Sequence, residues 1–155
     1  METGEIVPLT KRVGFVDSKL KRINAEVDDK AEWQRLVVEA YKSSYGFEWS
    51  GDSLLLAREN LLYTYRDYYF QKWLEEPTYG LFADIAEIIS YNLFQMDGLK
   101  YIIPLTEKRE KILEVQMSLF DYEEPEEQWR IKSGKRVKIM NWETNKMEFF
   151  DKGVR

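Results

Sequence analysis

Residues 43–62 read SSYGFEWSGDSLLLARENLL, and this stretch constrains the fold more than any other. A short aromatic run, residues 45–49, is bounded by Ser and Gly and predicts a buried strand. A polar turn follows. A long amphipathic helix then runs to about Leu74, carrying Leu54, Leu55, Leu61, Leu62, Tyr65, Tyr69 and Trp73, with Asp52 as its cap. Glu75, Glu76 and Pro77 stop it. Glu48 stands at the junction, where the strand hands over to the helix.

The neighbouring segments repeat this alternation. Phe15, Val16, Lys19, Leu20 and Ile23 fall at helical spacing. Asp28 and Asp29 cap a second helix, with Glu32 three residues after Asp29 and a stripe of Trp33, Leu36, Val37, Ala40 and Tyr41. Phe82, Ile85, Ala86 and Ile89 mark a further helix over residues 81–92, and residues 92–98 read as a strand ending in an Asp-Gly turn. Residues 100–104 suggest a short extended piece, and residues 106–120 fit helix and strand equally. The acidic stretch 121–129, with Pro125, reads as a loop. Residues 136–151 form a hairpin around Glu143-Thr144-Asn145, with Asn145 suited to a left-handed position. The expected class is α/β: a partial Rossmann-like sheet flanked by helices, with a C-terminal β-hairpin. The 155 residues fit a single domain. Within it, residues 12–104 form the core, 105–135 a variable helix and acidic loop, and 136–151 the hairpin.

Composition narrows the chemistry. With no Cys and no His, the chain has no disulfide, thiol nucleophile, Cys/His zinc site or imidazole base. Acid–base work would fall to Asp, Glu, Lys or Tyr. Lack of Cys fits a reducing cytoplasm. Residues 1–12 show no signal-peptide pattern, and no run approaches the roughly 18 apolar residues of a membrane span. The net charge of −5 argues against tight nucleic-acid binding by the chain alone.

In a doubly wound sheet, ligands bind beyond the carboxyl ends of the strands, where an acid can accept both hydroxyls of a ribose. Glu48 has that context, and Asp97 repeats it one unit later, placed to accept from the exocyclic amine of a base. The alternative is structural: loops are polar, and helix N-termini attract negative charge.

Tyr45-Gly46-Phe47-Glu48, followed by Ala57-Arg58-Glu59-Asn60-Leu61, resembles a segment of the S-adenosylmethionine-dependent DNA methyltransferases, in particular the adenine-N6 enzymes of restriction–modification systems. Asn92 to Leu99 resembles a later segment of that family. The resemblance covers roughly residues 15–104. It implies that Glu48 holds the ribose hydroxyls, that Asp97 meets the adenine amine, and that Trp49 and Gly98 flank the adenine. The family's glycine-rich first motif is reduced to Gly14 and Phe15, and its Asn-Pro-Pro-Tyr catalytic motif is missing: the prolines are Pro8, Pro77, Pro104 and Pro125. The resemblance therefore implies an incomplete enzyme, inactive alone. Any S-adenosylmethionine binding would be weak or absent in the chain alone, DNA would be reached only with a partner, and that partner would complete the fold. The other expectation is a non-catalytic protein-interaction protein of phage or mobile-element origin, with self-association through exposed sheet edges.

Two further features have two readings each. Tyr65, Tyr68 and Tyr69, interleaved with Arg66 and Lys72, could stack bases or fill a core. The basic residues of the stretch 132–138 could meet phosphates or guard a strand edge.

Overall fold

In the computed structural model, which describes residues 6–111, 129–132 and 134–152, four helices supply nearly all of the core. They are α1 (Phe15–Glu26), α2 (Lys30–Lys42), α3 (Gly51–Trp73) and α4 (Tyr79–Asn92). Helix α1 packs on α2 and α3, and α4 packs on α2 and α3, closing a ring of four. Every member of the main buried cluster except Leu93 lies on one of these helices. Each large side chain fully buried there contributes about 1.5–3 kcal/mol.

Local chemistry explains the boundaries. Asp29 caps α2 by accepting from the Glu32 N–H at 2.8 Å. Thr78 caps α4 by accepting from the Leu81 N–H at 3.4 Å, so this helix starts earlier than the apolar stripe alone suggests. Helix α3 departs from expectation at its start. Ser50 occupies the cap position without a side-chain bond, and Asp52 lies inside the first turn. A carboxylate there still opposes the positive end of the helix dipole. Leu74 closes α3 in the left-handed region, with φ 55°.

The aromatic helix is core. Trp33, Tyr65 and Tyr68 are fully buried and Tyr69 nearly so. The Trp33 ring meets Tyr69 edge-on at 5.5 Å, with Trp73 at 6.1 Å and Tyr65 at 6.2 Å. Each phenol has a partner: Tyr41 donates to the Leu61 carbonyl, Tyr65 to Gln34 and Tyr68 to Asp17.

That burial has a pH signature. Loss of hydration, reinforced by nearby carboxylates, raises the Tyr41 and Tyr65 phenols above their ordinary range and pushes Tyr68 up to about 12. Unfolded phenols release their protons near pH 10, whereas the folded ones hold theirs. The unfolded state then binds fewer protons, so stability is fully present below about pH 10 and falls as pH rises beyond it. The urea midpoint should drop between about pH 10 and pH 12. The double replacement Tyr65→Phe, Tyr68→Phe should flatten that decline.

The sheet is much smaller than expected. Strands β1 (Gly46–Glu48) and β2 (Leu93–Gln95) pair in parallel, with Gly46 opposite Leu93 and Glu48 opposite Gln95. No Rossmann sheet is evident among the described residues. The physical reason lies in the helices, whose apolar stripes bury one another instead of covering a broad sheet. β1 and β2 sit at one end of this cluster, against α3 and α4. Phe47 and Phe94 lie on one face of the pair and pack with Phe150 at 6.4 and 6.0 Å. Leu93, on the opposite face, enters the helical core.

Successive backbone groups of a strand point to opposite sides. The Met96 N–H donates to the Glu48 carbonyl at 3.0 Å, and the Asp97 N–H donates away from β1 to the Ile102 carbonyl at 2.9 Å. Ile102 in turn bridges antiparallel to Arg136. β2 therefore leads on toward the C-terminal hairpin, while the outer side of β1 has no strand partner among the described residues. The hairpin pairs β5 (Lys138–Asn141) with β6 (Lys146–Phe149), and Asn145 takes φ 52° as its position demands. Trp142 falls in the turn instead of the strand.

Two other expectations change. The extended piece expected over residues 100–104 shrinks to the surroundings of Ile102, which bridges antiparallel to Asp97 and Arg136, with turn on either side and Tyr101 at φ 56°. Where the sequence suggests a variable helix and loop, β3 (Lys108–Lys111) and β4 (Trp129–Lys132) pair antiparallel. The rest of the ambiguous segment and the acidic stretch 121–128 lie outside the described residues.

Candidate functional site

The strand, acid, turn, helix order read from the sequence is present. β1 ends at Glu48, Trp49 and Ser50 make the turn, and α3 begins at Gly51. Gln95 holds the turn by donating its side-chain amide to the Trp49 carbonyl at 2.9 Å. The Trp49 side chain is about half exposed, at 54%.

Beside this junction lies a cavity of about 280 Å³. Glu48 and Gly46 form one wall, Gly14, Phe15 and Asp17 a second, and Leu54 and Ala57 of α3 a third. Glu48 is exposed, and its carboxylate has no hydrogen bond or ion pair among the described residues. The first turn of α1 is fixed by its own chemistry. The Asp17 carboxylate folds back over Gly14, where a Cβ would stand 2.4 Å from its oxygen, and Asp17 also accepts from Tyr68 at 3.2 Å. A side chain at residue 14 would push that carboxylate aside. The Lys19 ammonium lies 4.3 Å above the Phe15 ring and donates to Ser43 and Ser44 at 3.0 and 3.1 Å. Partial burial lowers its pKa below the ordinary lysine range.

Asp97 is placed differently. β1 and β2 are parallel, so Glu48 and Asp97 lie at the same carboxyl end of the pair. Yet Asp97 does not line the cavity. One of its carboxylate oxygens accepts from the Leu99 and Lys100 N–H groups at 2.9 and 3.2 Å, an Asx turn that stabilises its own loop. Gly98 also has a packing role: a Cβ there would stand 2.7 Å from the Phe47 ring. The cavity thus gathers Glu48 with Gly14 and Phe15, while Asp97 and Gly98 belong to the adjoining turn.

Sequence reasoning missed Asp17, Lys19 and Arg58. Arg58 donates to the Leu93 carbonyl at 2.6 and 3.1 Å and to Ser90 at 3.0 Å, neutralising the free carbonyls where α4 passes into β2. It falls within the segment that carries the resemblance, yet nothing in spacing shows which carbonyls it meets.

No helix among the described residues is long and apolar enough to cross a membrane. No family model, curated protein or solved structure matches the chain.

Proposed function

We propose that this chain is a methyltransferase-like domain of the DNA adenine-N6 type, carrying part of a nucleoside-recognition site and unable to transfer a methyl group alone. The supporting observation is the Glu48 carboxylate, unpaired among the described residues, at the end of a parallel strand, on a cavity whose facing wall is Gly14 and Phe15. A ribose offers two adjacent hydroxyls to two carboxylate oxygens. The apolar walls suit the flat face of an adenine, although Trp49, beside the strand end, does not line the cavity. At about 280 Å³ the cavity lies at the lower end of ligand sites, so it fits the nucleoside part of S-adenosylmethionine better than the whole molecule. Asp97, engaged in its own turn, adds little unless that turn opens. The methyl group would be supplied by S-adenosylmethionine, and the Pro-Pro catalytic segment by another chain.

Calorimetry with S-adenosylhomocysteine tests this reading. Weak binding is expected, near −4 kcal/mol for a constant of about 1 mM. Glu48→Gln, which keeps the shape and removes the charge, should abolish the heat while leaving the melting temperature unchanged. Absence of heat with the wild-type chain at millimolar ligand would overturn the nucleoside reading. Labelled methyl transfer to duplex DNA by this chain alone would overturn the claim that it is incomplete.

A second reading, a protein-interaction domain, is favoured by the apolar groups around the same cavity. Phe15 is 69% exposed and Phe47 48%, while Leu55 and Leu56 are exposed on α3. A partner chain that covered them and paired with β1 would serve both readings.

A further inference from the structure

A second cavity, of about 520 Å³, lies between α3, the end of β2 and the start of the C-terminal hairpin. It shares only Leu54 with the cavity at Glu48. Its lining holds four cations, Arg58, Lys135, Arg136 and Lys138, and no acid. That is a marked local reversal in a chain of net charge −5.

These cations differ in availability. Arg58 is committed to the α4 carbonyls. Arg136 is held by both oxygens of Asp151 and lies 4.0 Å over the Phe149 ring, which fixes its plane. Lys135 and Lys138 have no acidic partner among the described residues, and Lys138 lies 5.0 Å over the same Phe149 ring. Two free ammonium groups stand beside two immobilised guanidinium groups. The Gln95 side chain and an apolar floor of Phe94 and Val137 complete the cavity.

We propose that this cavity binds phosphate groups, from either a single-stranded nucleic-acid backbone or a free polyphosphate. Ammonium and guanidinium donors supply charge-assisted bonds to phosphate oxygens. Clustering them in one concavity raises the local anion concentration despite the overall negative charge. Lys135 and Lys138 are exposed, as a strand-edge guard would be, yet both line the same cavity. The inference stands apart from the reading of Glu48, because neither the carboxylate nor its cavity takes part.

Fluorescence polarisation with a labelled oligothymidylate of about 12 nucleotides tests it on the full chain. About three phosphate contacts give a slope of log K against log salt near −2, so affinity should fall about 20-fold between roughly 50 and 200 mM salt. Lys135→Gln with Lys138→Gln should weaken binding about 10-fold and bring the slope to about −0.7. The control double variant Arg22→Gln, Arg35→Gln makes the same charge change on α1 and α2 and should bind as wild type. Competition by millimolar pyrophosphate would support the site and assign it to free polyphosphates as well. Failure to compete, with the variant effect intact, would support it as a backbone site. Equal loss in both double variants, or no binding of either probe, would overturn it.

Discussion

Replacing Asn92 with leucine is expected to lower the melting temperature by about 8–15 °C, a loss of about 3–5 kcal/mol. Asn92 is 1% exposed and sits at the last position of α4. Its amide donates to the carbonyls of Tyr41, Lys42 and Ser44 at 2.9, 2.9 and 3.1 Å. Its own oxygen accepts from the Trp142 indole at 2.7 Å. The first three acceptors lie where α2 ends, among the carbonyls that a helix leaves without partners. Leucine would match the volume but orphan the Lys42 and Ser44 carbonyls and the indole N–H together, each at about 1–3 kcal/mol if water stays out, while the Tyr41 carbonyl keeps the Ser44 N–H at 3.0 Å. Total stability for a domain is only about 5–15 kcal/mol, so the loss is large. Trp142→Phe should cost less, about 1–2 kcal/mol, because only one bond is lost. The two changes should be less than additive, since both remove the same bond. An Asn92→Leu protein melting within about 2 °C of wild type would show that the node contributes little.

Trp33→Ala is the second large effect, expected to cost about 3–5 kcal/mol and to broaden or abolish the cooperative urea transition. The indole is fully buried among Tyr65, Tyr69 and Trp73, and its N–H donates to Asn24 at 2.6 Å. Alanine would remove the hub of the aromatic cluster and leave a cavity between α2 and α3 that close packing cannot refill. Trp33→Phe keeps most of the ring and should cost markedly less. The near-ultraviolet circular dichroism of the aromatic groups gives an independent readout, because it depends on fixed packing. Retention of that band and of the wild-type midpoint in Trp33→Ala would disprove the role given to this side chain.

The helices were legible in the sequence because helix signals are local. Val16 and Leu20, or Trp33, Val37 and Tyr41, announce a buried face by spacing alone, and Asp29 marks its own cap. Asn145 announced its turn in the same way. The sheet was not legible at its true size. A strand of three residues, such as Gly46–Glu48, shows its existence but not how many neighbours it pairs with. The Lys108–Lys111 strand is a run of charges without alternation, so no pattern separated it from helix or loop. The site was half legible. Glu48 follows from a local order of elements, and its place on a cavity agrees with that order. Asp97 shared the order, but Asp-Gly is also a turn signal, and that turn chemistry engages its carboxylate. Asn92 could not be found by inspection, because its partners lie about 50 residues away in sequence.

Among the described residues, the outward side of β1 has no strand beside it, yet β1 is only three residues long. Brevity protects it, because two identical stubs laid side by side would gain too few hydrogen bonds to hold. A longer foreign strand, anchored elsewhere on the surface, faces no such limit. Any pairing at this margin would therefore have to draw its stability from contacts beyond it.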